Sequence, residues 1–305
     1  MDGLEDLAEA ALSGLLQQLQ IQSTVEIGHS SRDALLFRIC EEIKSMPIIT
    51  KTLVFRGGIS LNGLRMLHRA LKENESINEL QFVSLKSPEE VQGAIECCRV
   101  QPRIQSLSLR SYTTGRRADR EGIAATICNA LFWSKGTSGL QTLEIASYPI
   151  GARGAQILTE AVASDTHLTT LRLVDCDLRS DSASSIAHMI KMNKHLQDLD
   201  LSFNPHFLGS EITRELTFKT LIRRGLIFNT TLLDLRLEQY GCVPIKRASL
   251  DRQLRISKFR AAFEKSGRSP FDLPIDLWTH ILARVALKPS ILYLFLQEGA
   301  IVLFR

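Results

Sequence analysis

A pattern, apolar-x-x-apolar-x-apolar, recurs through the middle of this 305-residue chain and limits its fold more than any other feature. It reads Ile77-x-x-Leu80-x-Phe82, Ile104-x-x-Leu107-x-Leu109, Leu140-x-x-Leu143-x-Ile145, Leu168-x-x-Leu171-x-Leu173, Leu196-x-x-Leu199-x-Leu201 and Leu232-x-x-Leu235-x-Leu237. Weaker copies centre on Val25/Ile27 and Leu53/Phe55, the latter with Ile49 rather than Thr50 expected at the first apolar place. The central residues stand at 25, 53, 80, 107, 143, 171, 199 and 235, so successive differences are 28, 27, 27, 36, 28, 28 and 36. Such periods belong to solenoids and arrays. The two long steps read as ordinary units enlarged by about 8 or 9 residues.

Two periodicities alternate inside each unit. Leu-x-Leu alternation is that of a strand with one buried face. It is followed by residues on one helix face: Leu64, Leu67 and Leu71; Ala155, Leu158 and Val162; Ala183, Ile186, Ala187 and Ile190. A second column links each helix end to the next strand, through Asn74, Asp165, Asn193 and Asn229. Asn and Asp suit a turn there because they tolerate left-handed backbone and bond nearby amides.

The unit His167-Leu168-Thr-Thr-Leu171-Arg-Leu173-Val-Asp-Cys176-Asp-Leu178 resembles the leucine-rich repeat family, in its ribonuclease-inhibitor-like class, at every apolar position. The resemblance covers about residues 22–242. It implies an α/β leucine-rich repeat solenoid, with a curved parallel sheet on the concave side and helices on the convex side. It also implies that Cys176 bonds a neighbouring turn. Elsewhere that column holds Leu85, Tyr112, Tyr148, Asn204 and Tyr240, which predicts an imperfect turn-to-turn ladder.

Three segments follow: a capping helix over 1–21, about eight repeats over 22–242, and a helical module over 243–305. The first rests on the stripe Leu4, Leu7, Ala8, Ala11, Leu12, Leu15 and Leu16, since exposed solenoid ends need caps. Residues 243–305 hold eleven Lys/Arg and five Asp/Glu, a balance of +6, which leaves −2 for the rest of a chain of net charge +4. The module resembles the ending of other ribonuclease-inhibitor-like repeat proteins. Its Leu273-Pro274-x-Asp276-Leu277-Trp278-x-x-Ile281-Leu282 also resembles the opening of an F-box, and Ser249-Leu250 with Leu273-Pro274 faintly resembles a SOCS box. Either would imply a substrate adaptor that recruits a ubiquitin-ligase subunit.

No phosphate loop, nucleophile elbow or zinc-protease motif occurs, and no Ser/His/Asp or Cys/His constellation can be argued from spacing. The expectation is a non-enzyme without cofactor or metal. A GTPase-activating regulator is the one enzymatic alternative the fold class offers. The six cysteines have no C-x-x-C pair and read as small buried apolar residues. No apolar run reaches membrane-spanning length, the start lacks a basic secretory n-region, and a pI near 8.8 is too mild to claim nucleic acid. The expected setting is cytoplasmic, with the nucleus left open, and the expected partner is a protein.

That partner would meet the outward positions of the strands. The middle outward column reads Glu26, Val54, Gln81, Ser108, Glu144, Arg172, Asp200 and Arg236. Flanking it are Arg56 and Arg110 on one side and Asp198 and Asp234 on the other, with Glu238 beyond Arg236. The candidate binding residues are therefore Arg56, Arg110, Glu144, Arg172, Asp198, Asp200, Asp234, Arg236 and Glu238. Insertions such as Ser111 to Gly122, with Arg116, Arg117 and Arg120, would border the face.

Overall fold

The computed structural model describes residues 24–27, 33–45, 50–56, 59–111, 123–130, 139–204 and 231–237, with positions 13, 18, 22, 221–222, 224–226 and 229. The chain divides into two compact units, Met1–Lys258 and Phe259–Arg305, and every described residue lies in the first. The expected capping helix over 1–21 (save two positions), the body of the 111–122 insertion, Glu238 and the module over 243–305 lie outside the described residues.

Eight strands carry the repeat: β1 (Thr24–Ile27), β2 (Thr52–Arg56), β3 (Glu79–Val83), β4 (Ser106–Arg110), β5 (Thr142–Ala146), β6 (Thr170–Val174), β7 (Asp198–Asp200) and β8 (Asp234–Arg236). They form one sheet in sequence order, each parallel to the next. Register follows the repeat: Val25, Leu53, Leu80, Leu107, Leu143, Leu171, Leu199 and Leu235 align across it. Just before the strands, one carbonyl accepts from two successive amides of the next unit. Asn78 O takes Gln105 N (2.8 Å) and Ser106 N (3.1 Å), and Gln197 O takes Leu233 N (2.7 Å) and Asp234 N (3.0 Å). This lengthens the ladder beyond the short strands.

Helices α1 (Asp33–Ser45), α2 (Leu61–Glu73), α3 (Pro88–Val100), α4 (Gly151–Ser164) and α5 (Ala183–Met192) join successive strands, and residues 123–130 are helical between β4 and β5. Local chemistry sets their starts. Ser60 accepts from Gly63 N (2.9 Å), and Ser87 accepts from Glu90 N (3.2 Å) before Pro88. These bonds satisfy amides that a helix start leaves unpaired. The predicted stripes are the buried ones: Leu64, Leu67 and Leu71 on α2, Ala155, Leu158 and Val162 on α4, and Ala183, Ile186 and Ile190 on α5. They share one core with the inward strand residues, where Phe55 and Phe82 stack at 5.2 Å.

Two expectations need correction. Thr50 itself occupies the first anchor of its unit: it is fully buried, and its hydroxyl donates to Gln22 O at 2.8 Å. A threonine serves there because the hydroxyl has a carbonyl to meet. The Asn/Asp turn residues are not left-handed; φ is −91° at Asn74, −74° at Asp165 and −71° at Asn193. Their side chains do the work instead. Asn193 Oδ1 accepts from His195 N (2.8 Å) and Leu196 N (2.6 Å), while Nδ2 donates to Val162 O (2.6 Å) and Asp165 O (3.1 Å). Asn74 and Asn229 make the same link to the previous helix end, at Ile43 O and Ile190 O. Left-handed backbone falls just after the strands, at Ser84, Ser147, Asp175 and Phe203.

The second expected ladder is imperfect in the predicted column. Cys176 Sγ donates to Ile145 O at 3.2 Å, and Asn204 bridges to Leu173 O and to the Cys176 and Leu178 amides. At the matching place Tyr148 is fully buried, and its hydroxyl makes no well-formed hydrogen bond. A bulky ring fills the slot in place of a bridging amide.

Candidate protein-binding face

The face of the sheet opposite the helices collects the charged positions. On β6, Leu171 and Leu173 enter the core while Thr170, Arg172 and Val174 are half-buried on the other side. Strand alternation brings the same outward columns of β1 to β8 onto this face. It is not evenly exposed, however. Val54, Ser108 and Glu144 are buried, because neighbouring strands and longer side chains cover the middle column.

Charges on this face are interlocked. Arg56 donates from Nε to Glu26 Oε2 (2.8 Å) and from its terminal nitrogen to Oε1 (2.7 Å). That bond holds the Glu26 carboxyl below its usual range. The Arg110 guanidinium lies 2.8 Å from Glu144 Oε1, and its Nε donates to Ser108 Oγ at 3.2 Å. Arg172 approaches the same carboxylate from the other side, at 3.9 Å. Glu144 therefore lies between two arginines of adjacent strands.

Across β5 to β8 the middle column alternates in sign, with Glu144 opposite Arg172, Arg172 opposite Asp200, and Asp200 opposite Arg236. Opposite charges directly across strands are mildly stabilising. Arg236 Nε donates to Asp234 Oδ2 at 2.8 Å, and Asp234 first, then Asp200 and Asp198, raise the guanidinium's proton affinity. Asp200 Oδ1 also accepts from Ser202 N at 2.9 Å.

Eight of the nine candidate residues thus lie on one face; Glu238 lies outside the described residues. Two distinct groups emerge. Arg110, Glu144 and Arg172 form one, and Asp198, Asp200, Asp234 and Arg236 the other, while Arg56 pairs apart with Glu26. Sequence columns missed Glu26 as Arg56's partner and Ser108 as Arg110's. Both pairs join the middle column to the next one, Glu26 to Arg56 diagonally across β1 and β2 and Ser108 to Arg110 along β4. On β3, Glu79 accepts from Thr52 Oγ1 (3.0 Å) and Gln81 Nε2 (2.9 Å), which ties the less charged half together. Among the described residues no group of His, Cys, Asp and Glu is arranged to hold a metal, and no helix is long and apolar enough to cross a membrane.

Sequential parallel strands, each returning through a helix, with turn residues bridging from unit to unit, define a leucine-rich repeat solenoid. The chain is built of leucine-rich repeats and is similar to proteins of the ribonuclease-inhibitor-like class. The family described as "Leucine Rich repeat" matches residues 164–187 and 193–207. The chain is 30% identical over 205 residues to "Ribonuclease inhibitor" of Mus musculus, covering 66% of this chain and 42% of that protein. It is 29% identical over 180 residues to "Ribonuclease inhibitor" of Sus scrofa, covering 56% and 37%. Against "NACHT, LRR and PYD domains-containing protein 5" of Bos taurus the identity is 27% over 190 residues, covering 61% and 16%. This chain therefore spans less than half the length of the curated relatives it matches. Among solved structures, "Leiomodin-1 Actin-Binding Site 2 (ABS2)" aligns with a TM-score of 0.44 and 16% identity, over 59% of this chain and 92% of that one.

Proposed function

We propose that the chain is a non-catalytic interaction scaffold that presents the helix-free face of its sheet to a protein partner. The observation that carries this reading is the unbroken eight-stranded parallel sheet with a patterned row of charges across β4 to β8. A sheet fixed by register on every strand presents side chains at set spacings, so little order is lost on binding. The mouse and pig relatives are named as inhibitors of ribonuclease, itself a protein. Holding another protein is the part of that role carried over here. The described cysteines are all free thiols, which suits a reducing compartment and supports placement inside the cell. The ubiquitin-ligase adaptor reading has no observation of its own, because residues 243–305 lie outside the described ones.

A photo-crosslinking side chain at Val174, on the face, tests this against one at Gln156 on the exposed side of α4. The partner should crosslink from Val174 only. Reversing Asp198, Asp200 and Asp234 to lysine should abolish it. Equal capture from both sites, or capture indifferent to the reversal, sinks the reading.

A further inference from the structure

Among the described residues four arginines stand on the helix-free face, and three are committed by hydrogen bonds: Arg56 to Glu26, Arg110 to Glu144 and Ser108, and Arg236 to Asp234. Arg172 donates a hydrogen bond to none of the described residues. Its nearest carboxylate oxygen, Glu144 Oε2, is 3.9 Å away and already accepts from Arg110 at 3.0 Å. The side chain is 41% exposed, on the sixth of eight strands. A guanidinium offers five N–H donors in a planar fork that matches a carboxylate. Glu144 on β5 and Asp200 on β7 are its register partners on either side. Ala146 and Val174, register partners on β5 and β6, are half-buried apolar neighbours two residues further along their strands.

We propose that Arg172 is the anchor through which this face takes a carboxylate of its protein partner, with the aliphatic stem of that side chain resting on Ala146 and Val174. This rests on the reading of the face as a binding surface. Glu144 and Asp200 decide the charge of the ligand. Two carboxylates flank the fork, so a phosphate dianion meets repulsion that a singly charged carboxylate meets less. Both flanking groups are already engaged, Glu144 by Arg110 and Asp200 by the Ser202 amide.

The test uses the intact 305-residue chain. Peptides are selected by display on the immobilised protein, and the tightest is measured by calorimetry against wild type, Arg172→Gln, Arg172→Ala and Asp234→Asn. The selected peptide should carry a fixed Asp or Glu, and both Arg172 substitutions should weaken it at least about tenfold. Changing that peptide carboxylate to its amide should cost about the same on wild type and little more on Arg172→Ala. Unchanged circular dichroism melting shows that the variants fold. Peptides without a carboxylate, or full binding by Arg172→Ala while Asp234→Asn weakens it, overturn the anchor and leave the face standing. Binding indifferent to all three substitutions overturns the face and the anchor with it.

Discussion

The Arg110 guanidinium lies 2.8 Å from Glu144 Oε1, across the β4–β5 pair, and the carboxylate it meets is only 11% exposed. A nearly buried anion costs free energy unless it is paired. Arg110→Ala leaves Glu144 with Arg172 at 3.9 Å as its other cation. Stability should fall by about 1–2 kcal/mol in urea unfolding. Arg110→Ala combined with Glu144→Gln should recover part of that loss. Arg56→Ala breaks a pair exposed on both sides and should leave the unfolding midpoint nearly unchanged.

The Asn193 side chain makes four hydrogen bonds at a buried position, two accepting and two donating. Asn193→Ala should destabilise by about 2–4 kcal/mol, since it orphans the buried end of α4 as well as two amides. Asn193→Asp keeps the acceptor but sets an anion against Val162 O and Asp165 O. It should be at least as damaging, which thermal unfolding at neutral pH will show.

Gly225 permits a close approach between repeats: a Cβ there would lie 2.6 Å from the Ala187 carbonyl oxygen, a backbone atom that cannot swing away. Gly225→Ala should therefore cost about 1–3 kcal/mol despite alanine's better helix propensity. Gly93→Ala is the comparison, because its Cβ would meet only the Leu64 side chain, at 3.0 Å and beyond. It should be much milder in the same denaturation assay.

Burial pushes the Cys40 and Cys128 thiols up to about 12 from an ordinary 9.0. Above pH 9 the unfolded chain releases these protons and the folded one keeps them. Folded stability is thus intact below pH 9 and lost as pH climbs toward 12. The slope is about 1.4 kcal/mol per pH unit for each thiol within that window. Unfolding curves at pH 8, 9 and 10 should show the decline, and Cys40→Ala with Cys128→Ala should make it shallower without removing it, because burial also raises Cys97, Cys98 and Cys176. Iodoacetamide should label neither thiol of the native protein at pH 8.

Much of this architecture was legible in the chain. Leucine spacing determined the strand register, and the 3-4 stripes determined which helix faces are buried, because burial of apolar side chains allows one phase for each element. Thr50 escaped that reading, since a hydrophobic pattern does not reveal a hydroxyl matched by the Gln22 carbonyl. Nor could the turn residues show whether they work by backbone strain or by side-chain bonds; Asn193 does so through its amide.

The sequence by itself determined which residues share the helix-free face, for alternation along a strand is a local property of the backbone. Tertiary structure alone decided what those residues are free to do. Arg56 and Arg110 share one outward column and Arg172 stands in the next, yet Glu26 takes the first, Glu144 takes the second, and the third donates a hydrogen bond to none of the described residues. The difference lies in which neighbouring carboxylate each guanidinium can reach within hydrogen-bonding distance, and that depends on strand spacing and side-chain conformation.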